Sequence, residues 1–234
     1  MENQNENQVI SEIIRTLPTD YYATEQSKNY YRQYDGCDDF LISDKLIEEI
    51  WEFFNQKILN LSDLGNKDIP ASVSVLHTNS GAGRILEKAP RNTTLFAFNI
   101  DYVCKRITDI LCQDKSQKGE YFSNIRDISQ YFIARETNNS RKYDIVITQP
   151  MPDMTFYRGV ECDEELSKSD PLEYYTTRSL NFVEDNGFLV VIYQPNQSEE
   201  IRSIVKNLNL KIHHIVKLED LEHIGYESII LSKK

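Results

Sequence analysis

The sequence predicts an α/β domain built on a seven-stranded, mostly parallel sheet with helices on both faces. Apolar strand-like segments alternate with amphipathic helical segments from residue 43 onward, a pattern typical of βαβ units. The first predicted strand runs into Gly81-Ala82-Gly83, whose glycines let the backbone approach a ligand closely. The last two strand-like segments, 211–218 and 226–232, are separated by too few residues for a parallel crossover. The last strand is therefore predicted to be antiparallel.

The individual elements follow from local patterns. Ser43 is a candidate N-cap, and the apolar stripe behind it predicts a helix that packs on the sheet. That stripe consists of Leu46, Ile47, Ile50, Trp51, Phe54 and Ile58. Strands are predicted near 72–77, 94–99, 121–126, 143–148, 187–193, 210–217 and 226–232. Helices are predicted near 83–89, 101–113, 128–136, 171–184 and 198–208.

The chain length of 234 residues fits one α/β domain with a short appendage. We assign residues 1–39 to an N-terminal extension, partly helical or disordered, and 40–234 to the domain. The extension contains a tyrosine-rich segment from Tyr21 to Tyr34. Such a segment can stack on bases, but an amphipathic flap lying on the domain is the interpretation we favour.

Composition limits the classes of partner. The formal net charge is −11, which disfavours nonspecific binding to a phosphate backbone. The charge still allows a basic partner subunit or a local basic edge, for which the candidates are Arg126, Arg135, Arg141, Lys142 and Arg158. The four cysteines lack CxxC spacing and the histidines lack ligand spacing, so we expect no metal. Without a signal peptide or a membrane-length apolar run, we expect a cytoplasmic protein with no membrane partner.

The predicted glycine turn is followed, at the spacing typical of a nucleoside-binding site, by a carboxylate. Asp101 lies twenty residues after Gly81, at the end of the next predicted strand. A carboxylate there can bond both ribose hydroxyls of an adenosine. The alternative is a tight turn followed by a solvated aspartate at a helix N-terminus, where negative charge is favourable. We favour a nucleoside-cofactor site at the carboxyl ends of the strands.

With these motifs, the chain resembles the class I S-adenosylmethionine-dependent methyltransferases over about 40–234. It is most similar to adenine-N6 DNA methyltransferases of the type I restriction-modification modification subunits. Their first motif is Asp-Pro-x-x-Gly-x-Gly, and here the segment is His77-Thr78-Asn79-Ser80-Gly81-Ala82-Gly83. The resemblance implies a Rossmann-like class I methyltransferase sandwich with S-adenosylmethionine (SAM) as cofactor.

The resemblance also implies the cofactor-binding residues Phe40, His77, Asn79, Gly81, Gly83, Asp101 and Asp127. Phe40 is what remains of a Phe-Tyr-Thr-Pro motif, and Asp127 matches an aspartate that lies near the adenine ring. His77 replaces an acidic group that helps to hold the methionine end of SAM. A neutral imidazole supplies no counter-charge. We expect His77 to be a strand-end histidine with a backbone hydrogen-bond partner.

The family's catalytic motif is Asn/Asp-Pro-Pro-Tyr/Phe, and the matching segment here is Gln149-Pro150-Met151-Pro152. In the family, two carbonyl groups accept the hydrogens of the adenine amine, and an aromatic ring stacks on the flipped base. Gln149 retains an amide carbonyl, one methylene further from the backbone. Met151 and Pro152 replace the second proline and the aromatic residue.

Three functional hypotheses follow. The first is a divergent adenine-N6 DNA methyltransferase with weak or lost catalysis, for which DNA is the substrate and a partner subunit supplies target recognition. The second is an inactive pseudo-methyltransferase that serves as a regulatory or structural subunit. The third is a class I fold that binds a different small nucleotide or none.

Overall fold

The computed structural model describes residues 42–62, 73–78, 84–90, 93–98, 121–122, 141–150, 170–217 and 226–234. The predicted N-terminal extension, the predicted helices at 101–113 and 128–136, and all four cysteines lie outside these residues. Within the described part of the chain, no helix is long and apolar enough to cross a membrane.

The described elements alternate as the sequence predicts. The helices are α1 (Asp44–Ser62), α2 (Arg84–Glu87), α3 (Pro171–Leu180) and α4 (Ser198–Asn207), and a 3₁₀ turn (Pro195–Gln197) precedes α4. The strands are β1 (Val73–His77), β2 (Thr93–Phe98), β3 (Tyr121–Phe122), β4 (Tyr143–Thr148), β5 (Val183–Tyr193), β6 (Lys211–Val216) and β7 (Glu227–Ser232).

These strands form one sheet in the order β3-β2-β1-β4-β5-β7-β6. The pairs from β3 through β5 are parallel, and β7 is antiparallel to both β5 and β6. Six of the described strands have five or more residues, and β3 is described over two. The predicted fold class is confirmed. Strand order reverses between β1 and β4, and ligands of open α/β sheets bind at such a switch point.

Helices cover both faces of the sheet. On one face, α1 and α2 pack against alternate strand residues such as Val75, Ile147 and Val190. On the other face, α3 and α4 pack against the intervening residues, such as Leu76 and Val146. Alternation of this kind follows from the two-residue period of a strand.

Helix α1 begins and packs as predicted. The Leu46 amide donates to Ser43 Oγ at 3.2 Å, which is an N-cap hydrogen bond. Trp51 Nε1 donates to the Ile85 carbonyl oxygen at 2.7 Å. This buried bond joins α1 to α2, the short helix that follows the glycine turn in sequence.

One predicted boundary is wrong. Helix 171–184 was expected, but α3 ends at Leu180 and β5 begins at Val183. Val183 pairs with Tyr143 of β4, and the register shifts before Ile145 pairs with Phe188. Residues 181–184 are therefore outside the helix, because the start of β5 pairs with β4. Local periodicity carries no information about this tertiary pairing.

Gly187 is required where β5 passes this irregularity. A Cβ on Gly187 would lie 2.8 Å from the Asp144 carbonyl oxygen and 3.0 Å from that of Tyr143. We expect Gly187→Ala to lower the unfolding free energy by about 1–3 kcal/mol, because the backbone of β4 must shift. Urea denaturation measures this change.

The exposed neighbour Asn186 provides the control. Asn186→Ala should change the unfolding free energy by less than about 0.5 kcal/mol. Equal effects of the two substitutions would contradict the close approach at Gly187.

Candidate functional site

The carboxyl ends of β1 and β4 meet at the switch point. His77 pairs in register with Ile147, and the Thr78 amide continues the ladder by donating to the Ile147 carbonyl oxygen at 2.9 Å. The structure therefore places His77 and Gln149, two residues singled out from the sequence, at neighbouring strand ends on one edge of the sheet.

His77 is the most unusual side chain at this edge. It is 1% exposed, and neither ring nitrogen has a hydrogen-bond partner among the described residues. Burial lowers the pKa of His77 to about 3, so the imidazole is neutral near pH 7. The described residues thus supply no backbone partner of the kind expected, because β1 delivers the side chain to an apolar face. A buried polar group left unpaired costs about 1–3 kcal/mol.

Thr78 and Thr148 add a pair of buried hydroxyls beside His77. Thr78 Oγ1 donates to Thr148 Oγ1 at 2.9 Å, and it lies 3.4 Å from the Ile147 carbonyl oxygen. Both threonines are fully buried. The sequence analysis missed Thr148, because its position directly before Gln149 is a signal only once β1 and β4 are known to be neighbours.

The other predicted site residues are described only in part. Gln149 is half-buried and has an interaction partner within the structure, and Pro150 is buried. The remaining candidates lie outside the described residues: Phe40, Asn79, Gly81, Gly83, Asp101, Asp127, Met151 and Pro152.

A second polar group, also missed from the sequence, lies at the end of β5. Tyr193 pairs in register with Glu227 of β7, and Ser198 Oγ donates to Glu227 Oε2 at 2.9 Å. Burial raises the pKa of Tyr193, as do the hydrogen bond and the charge of Glu227. Only the antiparallel return of β7 brings Glu227 to this edge.

Carboxylates gather at the N-termini of α3 and α4, on the same edge of the sheet. Asp170 caps α3 by accepting a hydrogen bond from the Leu172 amide at 2.8 Å. Burial raises the pKa of Glu200 to about 7, helped by a hydrogen bond to Asp170 and by the charges of Asp170 and Glu173. This cluster places negative charge on the edge that would receive a substrate.

Of the residues considered for a basic edge, the structure describes Arg141 and Lys142, and neither lies beside Gln149. Arg141 and Lys142 directly precede β4 and therefore lie at the opposite edge from Gln149. The Arg141 guanidinium lies 4.3 Å from the centroid of the Phe96 ring, and Lys142 Nζ is 3.6 Å from Asp185 Oδ1.

The His77 side chain fits SAM in hydrogen bonding and supplies no matching charge. The unpaired nitrogens of His77 can donate to a carboxylate or accept from an ammonium group of an amino-acid moiety. A neutral imidazole gives no counter-charge to a cation. Within the described residues, no group of three or more metal-ligating side chains is present.

Solved structures with a similar fold include proteins described as methyltransferases. A provisionally described RNA methyltransferase from Pyrococcus horikoshii has a TM-score of 0.51 and 14% identity, over 79% of this chain and 84% of that one. A provisionally described class I methyltransferase from Listeria monocytogenes has a TM-score of 0.50 and 13% identity, over 97% and 79%. One from Streptococcus mutans has a TM-score of 0.52 and 13% identity, over 69% and 44%.

At these identities the likeness establishes the fold. The chain has the Rossmann-like class I methyltransferase fold, with the strand order and antiparallel ending found here. No protein-family model matches the sequence, and no curated protein is detectably similar to it.

The buried imidazole of His77, which has no partner among the described residues, is expected to lower the stability of the fold. We expect His77→Leu to raise the unfolding free energy by about 1 kcal/mol, because an apolar side chain removes the buried unpaired nitrogens. The wild type should also lose stability as pH falls from 6.5 toward 3, because the unfolded histidine binds a proton that the folded one does not. Denaturation between pH 4 and 8 measures both effects.

His77→Asn keeps a neutral polar side chain and should give no such gain. A His77→Leu protein less stable than the wild type at pH 7 would show that the imidazole makes a stabilising interaction.

For the carboxylate cluster, we expect stability to fall as pH rises, opposite to the pH dependence expected from His77. The pKa of Glu200 is raised from 4.5 to about 7, so its favourable contribution is present below pH 4.5 and is lost as pH rises through 7. We expect Glu200→Gln to melt at a higher temperature than the wild type at pH 8, and the gap to close at pH 4.5.

The adjacent exposed residue Glu199 allows the same charge change to be made away from the cluster. A melting temperature that rises as much in Glu199→Gln at pH 8 would attribute the effect to net charge alone.

Proposed function

We propose that this chain is a divergent class I methyltransferase that binds SAM at the carboxyl ends of β1 and β4, and whose methyl transfer to adenine in DNA is weak or lost. One observation carries the proposal: His77 is buried, has no hydrogen-bond partner among the described residues, and lies beside the strand that leads to Gln149 at the switch point. A ligand at this edge would supply the hydrogen bonds that His77 lacks.

Under this proposal, different residues of the chain would bind the cofactor and the adenine amine. SAM supplies, when bound, a methyl group on a positively charged sulfonium. His77 would exchange a hydrogen bond with the amino-acid end of the cofactor. The Gln149 side-chain carbonyl and the Pro150 backbone carbonyl would accept the two hydrogens of the adenine amine. Accepting both hydrogens localises the nitrogen lone pair, which is otherwise conjugated into the ring.

Three features support weak or lost transfer. Gln149 carries its carbonyl one methylene further out than asparagine, and a displacement of ~1 Å at a reacting group can lower the rate about a hundredfold. His77 gives no counter-charge to the cofactor. The carboxylates of Asp170, Glu173 and Glu200 disfavour the approach of a polyanion.

A pseudo-methyltransferase is the second candidate. The same neutral His77 and lengthened Gln149 favour it, because a scaffold or regulatory subunit needs the fold and not the chemistry. In either case, a partner subunit would supply recognition of the target.

Calorimetric titration with SAM and S-adenosylhomocysteine (SAH) tests the cofactor part of the proposal. We expect micromolar binding of both, with loss of binding in Asp101→Ala, because the carboxylate would bond the ribose. Asp185→Ala removes a carboxylate at the opposite edge and should bind as the wild type does. Absence of heat with either ligand would refute the proposed function.

Methyl transfer from radiolabelled SAM tests the chemistry. We expect Gln149→Asn to raise transfer to adenine-containing DNA by about tenfold or more, because it shortens the reach of the carbonyl. Gln149→Ala should abolish any basal transfer.

Label on RNA and not on DNA would change the proposed acceptor. Binding of SAM with no transfer in either the wild type or Gln149→Asn would favour the pseudo-methyltransferase.

A further inference from the structure

The strands β1 and β4 are joined by side chains at both of their ends. At the amino end, Ser74 Oγ donates to Asp144 Oδ2 at 2.7 Å, and the Ser74 amide donates to the same atom at 2.8 Å. These groups are exposed. At the carboxyl end, the joining atoms are the Thr78 and Thr148 hydroxyls, 2.9 Å apart and fully buried.

Burial makes the hydrogen bond of the carboxyl-end pair more costly to lose than an exposed one. A hydrogen bond in a low-dielectric interior is stronger than one in water, and a buried hydroxyl without its partner is costly. Water can replace a lost partner at the solvated Ser74–Asp144 contact, whereas no solvent reaches the threonine pair to do so. Neither threonine hydroxyl titrates near neutral pH, so their hydrogen bond does not depend on pH.

The position of the pair decides what it restrains. Thr78 directly follows His77 and opens the turn after β1, whereas Thr148 directly precedes Gln149. The ladder between the strands also ends here, with the Thr78 amide bonded to the Ile147 carbonyl oxygen. The two hydroxyls thus form the last side-chain contact described between β1 and β4 before the chain enters the two candidate functional segments.

We propose that the Thr78–Thr148 hydroxyl pair positions Gln149 relative to the carboxyl end of β1. The pair acts by holding the carboxyl ends of β1 and β4 in one arrangement. Its effect on cofactor binding rests on the proposed function, whereas its effect on the local structure does not.

Two measurements in solution test the local effect without any ligand. The first is hydrogen exchange of the Thr78 amide, and the second is the NMR resonance of the Gln149 side-chain amide. We expect Thr148→Val to speed exchange at Thr78 about tenfold, from loss of one buried hydrogen bond, and to shift or broaden the Gln149 resonance. Thr148→Ser retains the hydroxyl and should behave like the wild type in both measurements.

Two further variants serve as controls: the double substitution at Thr78 and Thr148, and a substitution at the distant Ser74–Asp144 contact. Thr78→Val combined with Thr148→Val should change exchange less than the sum of the single substitutions, because each single substitution already removes the same hydroxyl–hydroxyl bond. Ser74→Ala breaks the amino-end contact and should leave Thr78 and Gln149 unaffected. The proposal is overturned if Thr148→Val changes neither the exchange at Thr78 nor the Gln149 resonance. It is also overturned if Thr148→Ser or Ser74→Ala changes them as much as Thr148→Val does.

Calorimetry with SAH then separates this inference from the proposed function. We expect Thr148→Val to bind SAH about tenfold more weakly than the wild type, and Ser74→Ala to bind equally well. Equal affinity in Thr148→Val would overturn the transmission to the site. If the wild type binds no SAH, the proposed function fails, and the exchange and resonance measurements still decide whether the hydroxyl pair positions Gln149.

Discussion

Parallel pairing of β1 with β4 brings residues 70 positions apart into hydrogen-bond contact. In a parallel sheet both strands deliver their carboxyl ends to the same edge, so the segments that follow them must share that edge. The reversal of strand order at this pair places α2, which follows β1, and α3, which follows β4, on opposite faces of the sheet. The proposed cofactor site, the position of Gln149 and the Thr78–Thr148 contact all depend on this pairing.

The same pairing explains the state of His77. Strand periodicity points its side chain to the face where Val75 and Ile147 lie in an apolar cluster, and desolvation there keeps the imidazole neutral. An acidic residue at this place would bring negative charge into the apolar layer and would need a cation to compensate it. A neutral histidine avoids that cost and gives up attraction for a cationic ligand. The neutral charge of His77 is one reason for the proposal that methyl transfer is weak or lost.

Charge is distributed unevenly between the two edges of the sheet. The cationic side chains of Arg141 and Lys142 lie at the amino end of β4, one over an aromatic ring and one beside Asp185. The carboxylates of Asp170 and Glu200 lie toward the carboxyl edge, close enough to raise a pKa. For a nucleic-acid substrate this polarity is unfavourable, and a basic partner subunit would relieve it.

Local patterns in the sequence were sufficient for the order of the described strands and helices, the Ser43 cap and the antiparallel ending, because periodicity, capping and connection length act over a few residues. The end of α3 could not be predicted locally, since pairing with β4 decides where β5 begins. The burial of His77 without a partner, the Thr78–Thr148 contact and the meeting of Tyr193 with Glu227 were decided by tertiary structure alone. Each of these joins or surrounds side chains from strands far apart in the chain, and only the sheet order determines which strands are neighbours.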